Sequence, residues 1–264
     1  MEIIKSKDNS KIKYIRSLSI KKNREAESSF IVEGIKFIKE AINECSEVRF
    51  VLLNENSSEK EEIKNLLNML IKQKIEYFFC EDNIFSGISE TINSQGILAV
   101  VRKNKYTKKE ILDNCKFVIM CDRIQDPGNL GTIIRTADAF GPTAIILNKG
   151  CVDAYNPKVV RATAGAMFRV PIIYIESDIE IISYMKHEGF KIISTVVDSA
   201  YSFESIDNSD KICIVIGNEG QGISQEIIDE SNICISIKMT GRSESLNASI
   251  AAGISIYEIR KKLL

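Results

Sequence analysis

One histidine, His187, stands in 264 residues. That excludes a histidine-rich metal site. His187 lies in Tyr184-Met185-Lys186-His187-Glu188, which reads as an exposed helix end, so a Ser-His-Asp triad is excluded as well. The seven cysteines are odd in number and none forms a C-x-x-C pair, which indicates neither a zinc site nor a disulfide framework. Cys213 and Cys234 sit in apolar runs, where a reduced thiol behaves as a small hydrophobe. A reducing cytoplasm fits this usage. No apolar run approaches the roughly 20 residues of a membrane helix. Residues 1–13 are dense in lysine and lack the apolar stretch expected of a secretory signal. The chain has no internal repeat and no low-complexity tract. Its net charge is −1, so it is no general polyanion binder, and the distribution of charge carries the information.

The length holds one large or two modest domains. Residues 1–24 carry Lys5, Lys7, Lys11, Lys13, Arg16, Lys21, Lys22 and Arg24 against Glu2 and Asp8. With Tyr14 interleaved, this segment can touch a phosphate backbone, or it can be a solvated helix face. Strands are expected at 30–34, 48–53, 75–80 and 97–101, with helices at 34–42 and 60–74 from apolar residues at helical spacing. This alternation makes a small α/β domain over 1–101. Residues 102–112, polar and lysine-rich at their start, read as a linker. A second α/β domain is expected over 113–264, with strands at 117–121, 144–147, 170–175, 191–197, 212–216 and 233–237. Their β-branched, apolar content suits a parallel sheet covered on both faces. Helices are expected near 129–140, 178–188, 223–230 and 246–261.

Three clusters mark the second domain. In the first, Asp126-Pro127-Gly128 is a turn signal and Asn129 a natural N-cap, with Gly131 and Arg135 on the helix that follows and Gly141 able to close it. Asn129 can be a cap and nothing more, and Arg135 a surface partner for Asp138. The second is Gly217-Asn218-Glu219-Gly220-Gln221-Gly222, after an apolar strand. It reads equally as a loop that lets a small molecule approach the backbone and as a plain strand-to-helix turn. Glu219 is its one charge. The third runs from Ile237-Lys238-Met239 through Ser245-Leu246-Asn247-Ala248-Ser249, into a helix of small residues that must pack closely against something large. No G-x-G-x-x-G or G-x-x-x-x-G-K-[ST] signature occurs, so neither a dinucleotide fingerprint nor a P-loop is supported.

Together and in order, these clusters resemble the SpoU (TrmH-type) branch of the SPOUT class of RNA methyltransferases. The N-x-G-x-x-x-R motif matches Asn129, Gly131 and Arg135, and the stretch Asn156-Pro157-Lys158 to Gly165-Ala166 also resembles the family. Residues 1–101 resemble, less specifically, the RNA substrate-binding domain often joined to it. Ala248 departs from the more usual valine, and Pro142 after Phe140-Gly141 is a second departure. The resemblance implies an α/β fold with a trefoil knot in a mostly parallel sheet, and a homodimer through the C-terminal domain. It implies S-adenosylmethionine as cofactor and 2′-O-methylation of a ribose in ribosomal or transfer RNA; the first domain points to a structured RNA and favours ribosomal RNA, and neither a metal nor a membrane partner is expected. Gly217, Ile237 and Leu246 are the implied cofactor contacts, with Thr195, Asn218, Met239 and Ala248 lining the site. Arg135, Asn129, Glu219, Ser245 and Asn247 are the implied catalytic set. Asn129 and Glu219 are expected to hold Arg135, while Ser245 and Asn247 shape the cofactor loop or support Arg135. Lys11, Lys13, Arg16, Lys21, Lys22 and Arg24 are the implied RNA contacts. Alternatives are a tRNA ribose methyltransferase, a non-catalytic RNA-binding protein with the same fold and, more weakly, a Rossmann-type oxidoreductase.

Overall fold

A computed structural model of the chain describes residues 3–57, 60–91, 93–141, 143–207 and 210–263. Pro142 lies outside the described residues. The chain divides into two compact units, Met1–Asn104 with Tyr155–Phe168, and Lys105–Ala154 with Arg169–Leu264.

The first unit runs β1 (Ile3–Ile4), α1 (Ser10–Ser17), α2 (Lys21–Ala26), β2 (Ser29–Glu33), α3 (Ile35–Asn43), β3 (Val48–Asn54), α4 (Glu61–Lys72), β4 (Tyr77–Cys80), α5 (Asp82–Ser86) and β5 (Ile97–Arg102). Its sheet has the order β1-β4-β3-β5-β2, with β5 antiparallel to its neighbours and the remaining pairs parallel. The basic segment folds because it is amphipathic. Ile12, Ile15 and Leu18 are fully buried, and the Asn9 side chain caps α1 by accepting from the Lys11 amide at 2.9 Å. Lys13, Arg16, Lys21 and Lys22 face solvent, whereas the Lys11 ammonium rests over the Phe78 ring at 4.0 Å.

Arg24 departs from its expected role. It is 3 % exposed, and its Nη1 donates to the carbonyls of Leu18 and Ser19 at 2.8 and 2.7 Å. Carbonyls at a helix C-terminus need partners. Arg24 supplies them, and no phosphate can reach it.

The second unit contributes α6 (Lys108–Asn114), β6 (Phe117–Cys121), α7 (Pro127–Ala139) and β7 (Ala144–Leu147). After the short helix α8 (Pro157–Ala162) come β8 (Ile172–Tyr174), α9 (Asp178–His187), β9 (Lys191–Val196), β10 (Ile212–Ile216), α10 (Gln225–Asp229), β11 (Ile233–Ser236) and α11 (Ala248–Leu263). Among the described residues its sheet is six-stranded and parallel throughout, in the order β11-β9-β10-β6-β7-β8. Every residue of β6, β7 and β10 is buried. The small-residue helix α11 packs on α7 and β10, burying Ala248, Ser249, Ala252 and Ser255.

Two boundaries differ from expectation. The segment expected as a linker already contains the start of α6, where Thr107 and Glu110 form a capping box, with Thr107 N donating to Glu110 Oε2 at 2.7 Å. Its polar residues are a helix start. The second domain is also not continuous. Tyr155–Phe168 belongs to the first unit, where the Phe30 ring lies 4.9 Å from that of Tyr155 and 6.3 Å from that of Phe168.

Arg24→Ala is expected to destabilise the protein by about 1.5–3 kcal/mol, because it removes a charge-assisted pair of bonds and leaves two carbonyls unpaired. Lys22→Ala, on the open face, should fall within about 0.5 kcal/mol of the parent. Thermal unfolding of the two variants side by side measures the contrast.

Candidate functional site

β10 lies between β9 and β6, with Ile214 opposite both Ile193 and Ile119. Because the strands are parallel, the loops that follow them leave from one edge. From β6 the chain proceeds to β7 on one side; from β10 it proceeds past β9 to β11 on the other. Such a divergence opens a crevice beyond the strand ends, where open α/β sheets bind ligands.

A cavity of about 470 Å³ occupies this edge. Its lining includes Thr195, Gly217, Asn218, Ile237, Met239, Leu246 and Ala248, all seven residues expected at the cofactor, together with Glu219 and Ser245. The seven do not contribute in the same way. The Thr195 hydroxyl donates to the Val215 carbonyl at 2.8 Å, tying β9 to β10. The Asn218 side chain is consumed by the loop. Its Oδ1 accepts from the amides of Gly220 and Gln221 at 2.9 and 3.0 Å, and its Nδ2 donates to the Arg123 carbonyl at 2.9 Å. Asn218 and Gly222 also exchange backbone bonds of 3.1 and 2.9 Å, closing the loop on itself. This closure explains Gly217. A Cβ there would lie 2.5 Å from the backbone of Gly222 and Ile223.

Asn129 is not the helix cap. Asp126 caps α7, its Oδ1 accepting from the Asn129 amide at 2.7 Å, and Pro127 occupies the first turn. The side chain of Asn129, 8 % exposed, is thereby left for tertiary contacts. Its Nδ2 donates to Glu219 Oε1 at 2.5 Å, and its Oδ1 accepts from Asn247 Nδ2 at 2.9 Å. Asn247 in turn caps α11, its Oδ1 accepting from the Ser249 amide at 2.9 Å and from the Ser249 hydroxyl at 2.7 Å. One orientation of both amides satisfies every bond. A chain of side chains, Glu219–Asn129–Asn247, therefore joins all three sequence clusters.

Arg135 does not join that chain. It is exposed, and among the described residues it makes neither a hydrogen bond nor an ion pair. Six residues of α-helix separate it from Asn129, a turn of about 240° and a rise of about 9 Å. The two side chains thus leave α7 on different faces, and Asn129 and Glu219 do not hold Arg135 within one chain. Its expected surface partner Asp138 is bound instead to Arg169, at 2.9 Å.

The group that anchors the loop lies outside all three sequence clusters' expected site residues. Asp122, fully buried at the end of β6, is bonded to Arg123, to Asn148 Nδ2 at 2.7 Å and to the Ser224 amide at 2.7 Å. Burial pushes its carboxyl up, but the bonds from Arg123, Asn148 and Ser224 outweigh this and hold it below the ordinary carboxylate value. A charged doublet directly after an all-apolar strand was the available signal. Burial drives the nearby thiols the other way, with Cys213 pushed up to about 12 and Cys151 to about 11, so neither is a thiolate nucleophile at neutral pH.

The profile of the SpoU rRNA methylase family matches residues 116–257, and that of the MRM3-like substrate-binding domain matches residues 9–99. The 23S rRNA (guanosine(2553)-2′-O)-methyltransferase RlmP of Bacillus subtilis is 30% identical over 260 residues, covering 98% of this chain and 100% of its own. A putative TrmH family tRNA/rRNA methyltransferase of Staphylococcus epidermidis is 32% identical over 239 residues, covering 88% of this chain and 95% of its own. Among solved structures, an AdoMet-bound rRNA methyltransferase from Sinorhizobium meliloti superposes with a TM-score of 0.86 at 28% identity, over 100% of this chain and 98% of that one.

The loop geometry separates two glycines. Gly217→Ala should cost about 1–3 kcal/mol through a backbone collision. Gly220→Ala, whose added Cβ would meet nothing nearer than Asn218 Oδ1 at 3.7 Å, should leave stability unchanged. Comparing the unfolding transitions of the two variants tests the steric account.

Proposed function

The chain belongs to the SpoU rRNA methylase family, and from that membership we propose that it methylates a ribose 2′-hydroxyl of ribosomal RNA with S-adenosylmethionine as donor. The observation that carries the cofactor reading is the cavity. It gathers segments from β9, the 217–222 loop, the stretch after β11 and the start of α11. Its charged lining residues are the carboxylates Glu219 and Glu244, with no basic side chain among the described lining. Such a site suits a cationic ligand and repels a pyrophosphate, which argues against the dinucleotide alternative. When bound, the cofactor supplies a methyl group on a positively charged sulfur. Gly217, Ile237 and Leu246 would hold it, with Met239 and Ala248 packing beside it.

Catalysis then rests on positioning. Asn129 and Asn247 fix the Glu219 carboxylate. Arg135 orients the 2′-hydroxyl or the adjacent phosphate. A guanidinium, with a pKa above about 12, stays charged and is a poor base, so the hydroxyl proton passes to water. Ser245, exposed at the cavity mouth, shapes the loop that covers the cofactor.

The enzyme works as a homodimer through its second unit. Phe140, Ile250 and Tyr257 are large apolar residues on or beside α7 and α11, exposed by 38 %, 52 % and 50 % in the single chain. They form a face that a second copy would cover. Arg135 shares α7 with this region, so it serves the site of the second copy. The trefoil knot is part of the same reading. Lys13, Arg16, Lys21 and Lys22 of the first unit meet the RNA backbone. No helix among the described residues is long and apolar enough to cross a membrane, and the enzyme acts in the cytoplasm on its RNA.

Mapping 2′-O-methyl sites on total RNA, with and without the gene, should show one ribosomal site lost and transfer RNA unchanged. A lost transfer RNA site would overturn the substrate assignment. Shared sites make a second forecast. Arg135→Ala and Glu219→Gln should each be strongly impaired alone, yet co-expressed they should regain methylation, because a mixed dimer holds one intact site. No recovery would place Arg135 and Glu219 in the same chain's site.

A further inference from the structure

We propose that Arg123 is a positioning residue for the cofactor loop: with Asp122 it clamps the base of the 217–222 loop and so fixes where Glu219 stands. The inference rests on the methyltransferase reading of the cavity, and it concerns a residue that lines no part of it.

The geometry is over-determined at this one residue. Arg123 leaves β6 in the left-handed region, with φ 55°. A residue other than glycine is costly there and persists when its surroundings enforce it. Its amide donates to Asn148 Oδ1 at 2.8 Å, and its carbonyl accepts from Asn218 Nδ2 at 2.9 Å. Its Nε and Nη2 grip the two oxygens of Asp122 at 2.9 and 3.0 Å. The outer edge of the guanidinium reaches the loop, with Nη1 donating to Gln221 Oε1 at 2.8 Å and Nη2 to the Gly222 carbonyl at 3.1 Å. Gly150 gives it room, since a Cβ at Gly150 would lie 2.9 Å from Arg123 Cγ.

The contacts fall at chosen places. Asn218 and Gly222 are the two residues that close the loop, and Arg123 bonds to both. Glu219 stands between them. With its base pinned to the end of β6, the loop has little freedom to swing, and the Glu219 carboxylate stays aimed at Asn129. Asp122 holds Arg123 with one face and the Ser224 amide with Oδ2, at 2.7 Å, so the residues on both sides of the loop share one anchor. A lysine cannot replace this arrangement. Its single ammonium keeps the charge beside Asp122 but cannot span from Asp122 to two loop acceptors.

Calorimetric titration of the full-length protein with S-adenosylmethionine tests the clamp. Arg123→Gly accepts the positive φ and removes the fork. Arg123→Lys retains the charge. Each should weaken the Kd about tenfold, the loss of charge-assisted hydrogen bonds that orient the site. Gln221→Ala, which breaks one arm, should weaken it about two- to threefold. In all three the fraction of protein competent to bind should match the parent. A merely structural role would lower that fraction and leave the Kd of the remainder unchanged, which would overturn the proposal. Should Arg123→Gly fail to fold, Arg123→Lys and Gln221→Ala decide, and unchanged Kd values in both refute the clamp. A parent protein that binds no S-adenosylmethionine overturns the methyltransferase reading and the clamp with it.

Discussion

The second unit depends on one line of three polar side chains. Glu219, Asn129 and Asn247 come from three segments far apart in sequence, and two hydrogen bonds, of 2.5 and 2.9 Å, bring them together. The chain has a direction. A carboxylate only accepts, so Asn129 must present its amide to Glu219 and its carbonyl to Asn247. Asn247 must then turn its own carbonyl to the start of α11. Asn129 is the buried member, and losing either neighbour would leave part of its amide unpaired, which is costly. The α11 helix start, the cofactor loop and the first turn of α7 are thereby fixed as a unit.

The parallel sheet makes this line possible. Adjacent strands β6 and β10 end at the same edge, and the chain leaves them in opposite directions, so Asn129 and Glu219 meet although 90 residues separate them. The closure of the glycine loop sharpens the arrangement. Gly217 is required by the loop's own backbone, while Gly222 supplies a positive φ of 67°. The glycines serve the shape of the loop first, and that shape delivers Glu219. Arg135 stands apart on another face of α7, with no partner among the described residues. A single chain therefore builds the cavity and leaves Arg135 exposed.

Much of this was legible in the sequence, and the reasons are specific. The strands at Phe117–Cys121, Ala144–Leu147 and Ile212–Ile216 have the expected limits because each is an unbroken apolar run in a sheet buried on both faces. The first two clusters were visible because each follows such a strand, and the third follows the half-buried edge strand β11. Other features depend on contacts that no local pattern encodes. Asn129 looked like a cap because Asn favours that position, but Asp126 three residues earlier takes it. Arg24 looked like one more surface cation, and only its bonds to the carbonyls of Leu18 and Ser19 reveal its place. The capping box at Thr107 and Glu110 was present in the sequence and was obscured by the lysines around it. The return of Tyr155–Phe168 to the first unit rests on aromatic packing against Phe30, which leaves no boundary signal. Arg123 shows the same limit at the site itself, since its partners lie up to 99 residues away.

The central claim is that Glu219, Asn129 and Asn247 act as one unit. A double-mutant cycle on methyl-transfer rate, with Glu219→Gln and Asn129→Ala alone and combined, tests it most directly. The account predicts that the double variant loses no more activity than the worse single variant. Losses that multiply would show two independent residues and contradict it.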